Sequence, residues 1–246
     1  MARPATPAAR GWFITIEGPD GGGKTTQAER LLAHLAAAGR RVHLTREPGG
    51  TWLGERLRDV LLARTASAAG APTDPLTDAF LFNAARRQLV GEVIRPGLRA
   101  GTIVVCARFA DSTLAYQGYG AGVAFERLRS LAEIATDGLV PDLTILLDLP
   151  VEAGLERKAP GDVTRFEAEF DLEFHRRVRD GFLAIARAEP QRFVVIDATL
   201  PVDVVADAVA ASVDARIAGD GTSSAAGGAA HGAPGEPEST AVRTTR

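Results

Sequence analysis

Short apolar stretches alternate along the chain with longer amphipathic ones. The short stretches predict strands at residues 12–17, 41–45, 102–106, 143–148 and 193–196. The longer ones predict helices at residues 24–38, 52–63, 75–99, 123–136, 151–158, 165–188 and 202–217. Several strands are apolar almost throughout, which indicates burial on both faces. The alternation therefore predicts an α/β fold, a doubly wound five-stranded parallel sheet flanked by helices.

The two ends of the chain lack this pattern. Residues 1–10 are rich in alanine, proline and arginine, and residues 218–246 are rich in glycine, alanine, serine, proline and threonine. Such segments bury too little apolar surface to offset the loss of chain entropy on folding. The sequence therefore predicts a disordered N-terminal extension at 1–10, one folded domain at 11–217 and a disordered tail at 218–246.

Composition narrows the class of protein. The chain has 246 residues, of which 46% are hydrophobic and 24% charged, as in soluble globular proteins. Its net charge of −3 provides no basic field for nucleic acid. The single cysteine, Cys106, excludes an intramolecular disulfide and a cysteine-cluster metal site. With no run of 18 apolar residues and no signal-like segment at 1–10, we expect no membrane partner and a cytoplasmic location.

The most specific motif lies between the first predicted strand and the first predicted helix. Residues 18–25 read Gly-Pro-Asp-Gly-Gly-Gly-Lys-Thr and match the phosphate-loop pattern G-x-x-x-x-G-K-[ST]. In this context Lys24 reaches the β- and γ-phosphates of a nucleotide and the Thr25 hydroxyl binds Mg²⁺. The predicted nucleotide-binding residues are Gly18, Pro19, Asp20, Gly21, Gly22, Gly23, Lys24, Thr25 and Thr26.

Polar segments follow two further strands and predict a second phosphate site. Arg46 and Glu47 follow the second strand, and Arg108 follows the third. The carboxyl ends of parallel strands meet at one sheet edge, so Arg108 should face the phosphate loop across a cleft. Phe82 and Arg86 share a helical face, where they could stack on a base and bind its edge. Taken alone, the position of Phe82 favours a core residue.

Together these segments resemble bacterial thymidylate kinases, which transfer phosphate from ATP to dTMP. The matching segments occur in family order across residues 12–217 and comprise 13–25, 45–51, 82–86, 111–118, 141–148, 165–167 and 192–198. The resemblance implies the fold of P-loop nucleoside monophosphate kinases, with a lid at about 156–166. It also implies ATP and Mg²⁺ as cofactors, dTDP formation in dTTP biosynthesis, and a homodimer.

The resemblance also implies roles for individual residues. Asp20 would contact the nucleotide sugar, Phe82 would stack on thymine, and Arg108 would hold the acceptor monophosphate. Glu167 would lie near the metal together with Thr25. The acceptor-binding residues implied by the resemblance are Asp20, Arg46, Glu47, Phe82, Arg86, Arg108, Thr113, Tyr116 and Gln117.

Two features set this chain apart within the family pattern. Residues 21–23 are all glycine, so the phosphate loop carries no arginine. The resemblance then implies that the lid supplies the catalytic cation, with Arg157 and Arg165 as candidates beside Lys24 and Arg108. The family usually has an aspartate where this chain has Ala107.

Three alternatives stay open on the sequence. The protein could be a kinase for a different or modified pyrimidine nucleoside monophosphate, or a weakly active paralogue that binds nucleotide. A P-loop GTPase or ATPase is a more distant alternative. The chain lacks the N-K-x-D base-specificity motif of GTPases, and segments 46–51 and 111–118 favour a monophosphate kinase.

Overall fold

The computed structural model describes residues 10–63, 73–159, 161 and 163–226, and for 220–226 the backbone alone. In this part of the chain a single parallel sheet has the strand order β2-β3-β1-β4-β5. The prediction of a doubly wound five-stranded parallel sheet is confirmed. The strands are β1 (Phe13–Glu17), β2 (Val42–Arg46), β3 (Ile103–Ala107), β4 (Leu143–Asp148) and β5 (Phe193–Asp197).

Helices cover both faces of the sheet. Two turns have π-helical hydrogen bonding, at Val90–Ile94 and Leu114–Gly120. The α-helices are α1 (Lys24–Ala37), α2 (Trp52–Leu62), α3 (Pro75–Leu89), α4 (Arg95–Arg99), α5 (Ala110–Thr113), α6 (Phe125–Thr136), α7 (Val151–Glu156), α8 (Arg165–Glu169), α9 (Leu172–Ala188) and α10 (Val202–Ala226). Helix α5 and the π turn that follows it were not predicted from the sequence.

Two predicted helices are divided in the structure. The helix expected at 75–99 consists of α3, a π turn and α4 in direct succession. The helix expected at 165–188 is interrupted at Phe170, which has an extended conformation. Asp171 then starts α9, because its side chain accepts a hydrogen bond from the Phe174 N–H at 2.8 Å.

The C-terminal helix is longer than predicted. Helix α10 runs to Ala226 and so enters the segment 218–246 that was expected to be disordered. Its first turns are anchored in the core by Val205, Val209 and Val213. Once a helix is nucleated, each further residue adds a hydrogen bond without a new nucleation cost. Residues 1–9 and 227–246 of the predicted disordered ends lie outside the described residues.

The three central strands, β1, β3 and β4, are buried on both faces almost throughout, as their apolar sequences predict. Ile14 and Ile16 of β1 pack toward α1 and α10, whereas Phe13 packs with Leu89 on the α3 side. Because both faces are covered, the carboxyl ends of the strands remain as the place for a ligand. None of the helices in the described ranges combines the length and the apolar content that a bilayer crossing requires.

A close backbone contact fixes the loop between β1 and α1. Gly21 has a φ of 73°, and a Cβ atom there would lie 1.8 Å from the carbonyl oxygen of Gly154 in α7. Conversely, a Cβ atom on Gly154 would lie 2.3 Å from the carbonyl oxygen of Asp20. Only glycine allows the two backbones to approach in this way. The loop is therefore held against the start of the lid region.

Candidate active site

The phosphate loop curls around the amine of its own lysine. Lys24 is the first residue of α1, and its Nζ donates hydrogen bonds to the carbonyl oxygens of Gly18 at 2.9 Å and Pro19 at 2.6 Å. Burial, together with the nearby charge of Arg108, lowers the pKa of Lys24 to about 7. A bound phosphate would favour the charged amine, so the loop is prepared for an anion.

A cavity of about 750 Å³ opens between this loop and the segments that follow β2 and β3. It brings together most of the residues predicted for the site. From the predicted set, its lining contains Asp20, Gly21, Gly23, Lys24, Thr25, Thr26, Arg46, Glu47, Phe82, Arg86, Arg108, Thr113, Tyr116, Gln117 and Glu167. Gly18 and Pro19 do not line it but accept the hydrogen bonds of Lys24.

A second cavity of about 660 Å³ is bounded by the phosphate loop and by the segment that follows β5. Its lining includes Gly22, Gln27 and Arg157, together with residues 198–202. Four residues line both cavities, namely Gly21, Gly23, Thr26 and Lys158. The phosphate loop thus forms part of the wall of both cavities, which adjoin each other beside Lys158.

Arg108 lines the first cavity and is held by several polar contacts. Its φ of 70° is in the left-handed region, and its Nη2 donates to Asp20 Oδ1 at 2.5 Å and to the Tyr116 hydroxyl at 3.2 Å. The Tyr116 hydroxyl in turn donates to Asp20 Oδ2 at 2.6 Å. Burial acts to raise the pKa of Asp20, but the charges of Arg108 and Lys24 outweigh it and lower that pKa to about 2. Asp20 is therefore ionised and orients both partners.

Arg86 is almost completely buried, at 1% exposure, yet lines the cavity. It donates to Glu47 Oε2 at 2.9 Å from Nε, to Asn83 Oδ1 at 2.8 Å from Nη1, and to Thr113 Oγ1 at 3.0 Å from Nη2. Burial raises the pKa of Glu47 to about 7 even though Arg86 acts in the opposite direction. These contacts hold the guanidinium in one orientation at the cavity wall.

Aromatic rings form the side of the cavity next to Arg86. Phe82 lies one helical turn before Arg86, and its ring centroid is 6.0 Å from that of Phe166. The Tyr116 ring meets Phe166 edge to face at 5.7 Å. The π turn Leu114–Gly120 carries both Tyr116 and Gln117, so this irregular segment presents two of the predicted acceptor contacts. Phe82 accordingly contacts the core and the cavity at the same time.

Two arginines lie near the cis Glu47–Pro48 peptide. Arg46, which is half-exposed, forms an ion pair with Glu55 at 3.0 Å. Arg58, which was not predicted, donates to the Pro48 carbonyl oxygen at 2.9 Å and lines the cavity. Burial and the nearby charge of Arg46 lower the pKa of Arg58. The site is therefore more strongly cationic than the sequence indicated.

The two predicted lid arginines lie in different surroundings in the structure. Arg157 donates to the Ala198 carbonyl oxygen at 2.8 Å and lines only the second cavity. Arg165 is 2% exposed, forms an ion pair with Asp78 at 2.9 Å, and is absent from the linings of both cavities described here. The Thr164 capping box that starts α8 engages the Glu167 carboxylate, which lines the first cavity. Lys158, paired with Glu167, takes the position at the junction of the cavities.

The oxygen ligands in the cavity suit Mg²⁺. The described residues contain no cluster of three or more imidazole, thiol or carboxylate groups that could hold a metal ion. However, the Thr25 hydroxyl and the carboxylates of Asp20 and Glu167 line the same cavity. Mg²⁺ prefers hard oxygen ligands and retains waters and substrate phosphates, so one or two protein ligands suffice. Ala107 contributes no ligand from the end of β3.

Sequence reasoning missed four polar residues of this region: Glu17, Arg58, Ser112 and Lys158. Glu17 and Ser112 stood inside matching segments, but their contact joins positions far apart in the chain. Lys158 stood within the predicted lid, where sequence alone could not select among adjacent cations. Arg58 carried no signal, since a charged residue on a helix is usually solvated.

Comparison with known proteins agrees with this geometry. Residues 16–209 match the model of the thymidylate kinase family. A thymidylate kinase of Thermomicrobium roseum is 55% identical over 204 residues, covering 82% of this chain and 94% of the relative. A thymidylate kinase of Deinococcus radiodurans is 51% identical over 209 residues, covering 85% of this chain and 98% of the relative.

A third relative gives the same result. The thymidylate kinase of Solidesulfovibrio magneticus is 51% identical over 205 residues, covering 80% of this chain and 96% of the relative. The match extends from β1 into α10 and thus includes every segment that lines the two cavities. The chain belongs to the thymidylate kinase family.

Proposed function

We propose that this protein phosphorylates dTMP to dTDP with ATP and Mg²⁺, a step of dTTP biosynthesis in the cytoplasm. The observation that carries the proposal is one continuous cavity that joins a phosphate loop to a pocket with Phe82, Arg86 and Arg108 in its walls. That pocket offers an aromatic surface for a base, a fixed donor for its edge and a cation for a monophosphate. The names of the three relatives support the same reaction.

ATP binds along the phosphate loop in this proposal. Its phosphates accept hydrogen bonds from the loop N–H groups and from Lys24, whose amine leaves the carbonyl oxygens of Gly18 and Pro19. The second cavity, lined by residues 198–202 and Arg157, receives the adenosine. This places the γ-phosphate beside Lys158, where the two cavities meet.

The acceptor binds opposite the loop. Arg108 binds the dTMP phosphate, the Asp20–Tyr116 pair contacts the sugar, and the Phe82 ring stacks on thymine. Arg86, Thr113 and Gln117 lie along the base edge. A phosphate oxygen of dTMP attacks the γ-phosphorus in line, and ADP leaves. Because a monophosphate is already ionised near neutral pH, no strong general base is needed, and catalysis rests on positioning and charge neutralisation.

Thr25 would hold Mg²⁺ on the phosphate-loop side, with Asp20 and Glu167 as the nearby carboxylates. When bound, the ion neutralises negative charge on the β- and γ-phosphate oxygens. The protein's own part is to keep these oxygen ligands in one cavity. Asp20 remains available as an anion because Arg108 and Lys24 hold its pKa low.

A panel of acceptors tests the proposed reaction. ADP release with ATP·Mg²⁺ is measured against dTMP, dUMP, UMP, CMP, dCMP and 5-substituted dUMP analogues. We expect the highest kcat/KM with dTMP, because Phe82, Arg86 and the Asp20–Tyr116 pair fit a pyrimidine deoxynucleotide. A preference for another pyrimidine would make the protein a kinase of altered substrate. ATP binding without turnover of any acceptor would make it a nucleotide-binding paralogue.

Replacement of the lid cations separates their roles. Lys158→Ala should lower kcat by about 10²- to 10³-fold, because the transferring phosphoryl group loses a positive charge. Lys158→Arg should retain most of the activity, since the charge is kept.

Arg157→Ala should mainly raise the KM for ATP, and Arg165→Met should mainly lower the unfolding midpoint. Steady-state kinetics and urea unfolding measure these effects, and a normal kcat in Lys158→Ala would refute the assignment.

We further propose that the protein is a homodimer. Supporting this are exposed apolar side chains on three helices that pack side by side, α2, α3 and α6. Trp52 is 78% exposed, Phe80 55% and Ile134 74%. On α3 the exposed stripe continues from Phe80 to Ala84, so a second copy could cover this face. The same face appearing on both copies is what a twofold dimer requires.

Phe80→Glu should convert the dimer to a monomer, because each copy would then bury a negative charge in the proposed contact face. Light scattering after gel filtration measures the mass of the particle in solution. The matched control is Val204→Glu, which changes an apolar residue on α10 that is 48% exposed, close to the 55% of Phe80. A wild-type protein with the mass of one chain, or a Phe80→Glu variant that keeps the dimer mass, would contradict the proposed surface.

A further inference from the structure

The carboxylate of Glu17 joins the strand before the phosphate loop to the segment that carries Arg108. Glu17 is the last residue of β1 and is fully buried. Its Oε1 accepts hydrogen bonds from the N–H of Phe109 at 2.7 Å and of Ser112 at 3.3 Å. Its Oε2 accepts a hydrogen bond from the Ser112 hydroxyl at 2.6 Å. Three donors from one short segment thus converge on a single side chain.

These donors belong to the first turn of α5. The residue before that helix is Phe109, which cannot cap it through its own side chain. Glu17 therefore supplies from a neighbouring strand the acceptor that an N-cap residue would otherwise provide. The elements fixed in this way are α5 and the following π turn, which together carry Thr113, Tyr116 and Gln117.

The Ser112 hydroxyl, which Glu17 holds in place, also contacts Arg108. The hydroxyl has one hydrogen, which it donates to Glu17, so it turns its lone pairs toward the Nη1 of Arg108 at 3.2 Å. Arg108 Nη1 also donates to the Gly18 carbonyl oxygen at 3.3 Å. Arg108 has a left-handed backbone conformation, which a non-glycine residue keeps only where its surroundings hold it.

We propose that Glu17 is a positioning residue for the acceptor site, which orients the Arg108 guanidinium through the Ser112 hydroxyl. Glu17 lines neither cavity and acts through the Phe109 and Ser112 groups that it holds. The inference rests on the proposed role of Arg108 as the acceptor clamp. It goes beyond that role because it names the residues that fix the Arg108 guanidinium relative to the phosphate loop.

A second anchor of α5 provides a matched comparison. Asp111 accepts hydrogen bonds from Arg192 Nη1 at 2.7 Å and Nη2 at 3.0 Å. Because Arg192 is the residue directly before β5, this ion pair connects α5 to the start of that strand. Neither residue contacts Arg108 in the described hydrogen bonds. Loss of this anchor should therefore weaken the fold of the segment without turning the guanidinium.

The experiment compares Glu17→Gln, Ser112→Ala and their double variant with wild type and with Asp111→Asn. Calorimetry gives the Kd for dTMP and for ATP separately, and urea unfolding reports stability. We expect Glu17→Gln and Ser112→Ala to raise the Kd and KM for dTMP about tenfold each, since hydrogen bonds to charged groups contribute roughly one to two orders of magnitude. The Kd for ATP should change by less than about twofold.

The double variant distinguishes a shared path from two separate effects. If Glu17 acts through Ser112, the double variant should bind dTMP no more weakly than the worse single variant. Ser112→Thr, which keeps the hydroxyl, should restore the affinity for dTMP. Asp111→Asn should lower the unfolding midpoint while leaving the ratio of the two Kd values unchanged.

Several results would overturn the inference. These are equal losses of ATP and dTMP affinity in Glu17→Gln, a purely additive double variant, or a normal dTMP Kd in Ser112→Ala. Failure of the proposed function looks different, because wild type itself would then prefer another monophosphate. In that case the Kd values of the same variants are measured with the preferred monophosphate. A wild-type protein that binds no monophosphate would refute both the proposed function and the proposed role of Glu17.

Discussion

The ion pair between Arg108 and Asp20 is the interaction on which the rest of the site depends. Both groups are largely withdrawn from water, at 21% and 11% side-chain exposure, and a charge in such a position requires a partner. Asp20 belongs to the phosphate loop and Arg108 to the segment after β3, so the pair connects the donor side of the cleft to the acceptor side. The positive charge of Arg108, Lys24, Arg58 and Lys158 then exceeds the local negative charge, which suits substrates that carry phosphates.

The sheet order explains why these groups meet. Strand β1 lies between β3 and β4, so the phosphate loop after β1 is directly beside the Arg108 segment after β3 and the lid after β4. Glycines 21 and 154 allow the loop and α7 to touch through their backbones. The two substrate chambers are therefore a consequence of the parallel topology, and the lid contributes the one cation, Lys158, that borders both among the described residues.

Much of this arrangement could be predicted from the sequence. The sheet could be predicted because strands buried on both faces appear in the sequence as continuous runs of apolar residues. The phosphate loop could be predicted because its residues are contiguous in the chain. In the lid, Arg165 was selected by its charge, and the sequence could not show that its side chain pairs with Asp78, a residue far away in the chain. Helix α5 and its π turn were missed because their first turn is capped by Glu17, a contact across 92 positions that has no local signature.

The most direct test of the account is the binding of dTMP compared with thymidine, which lacks the phosphate, to wild type and to Arg108→Gln. If Arg108 binds the acceptor phosphate, wild type should prefer dTMP by about a hundredfold or more, as expected for charge-assisted hydrogen bonds to a phosphate. Arg108→Gln should lose most of that preference, because its Kd for dTMP should rise far more than its Kd for thymidine. A variant that still prefers dTMP to the wild-type extent would show that another group holds the phosphate and would contradict the central claim.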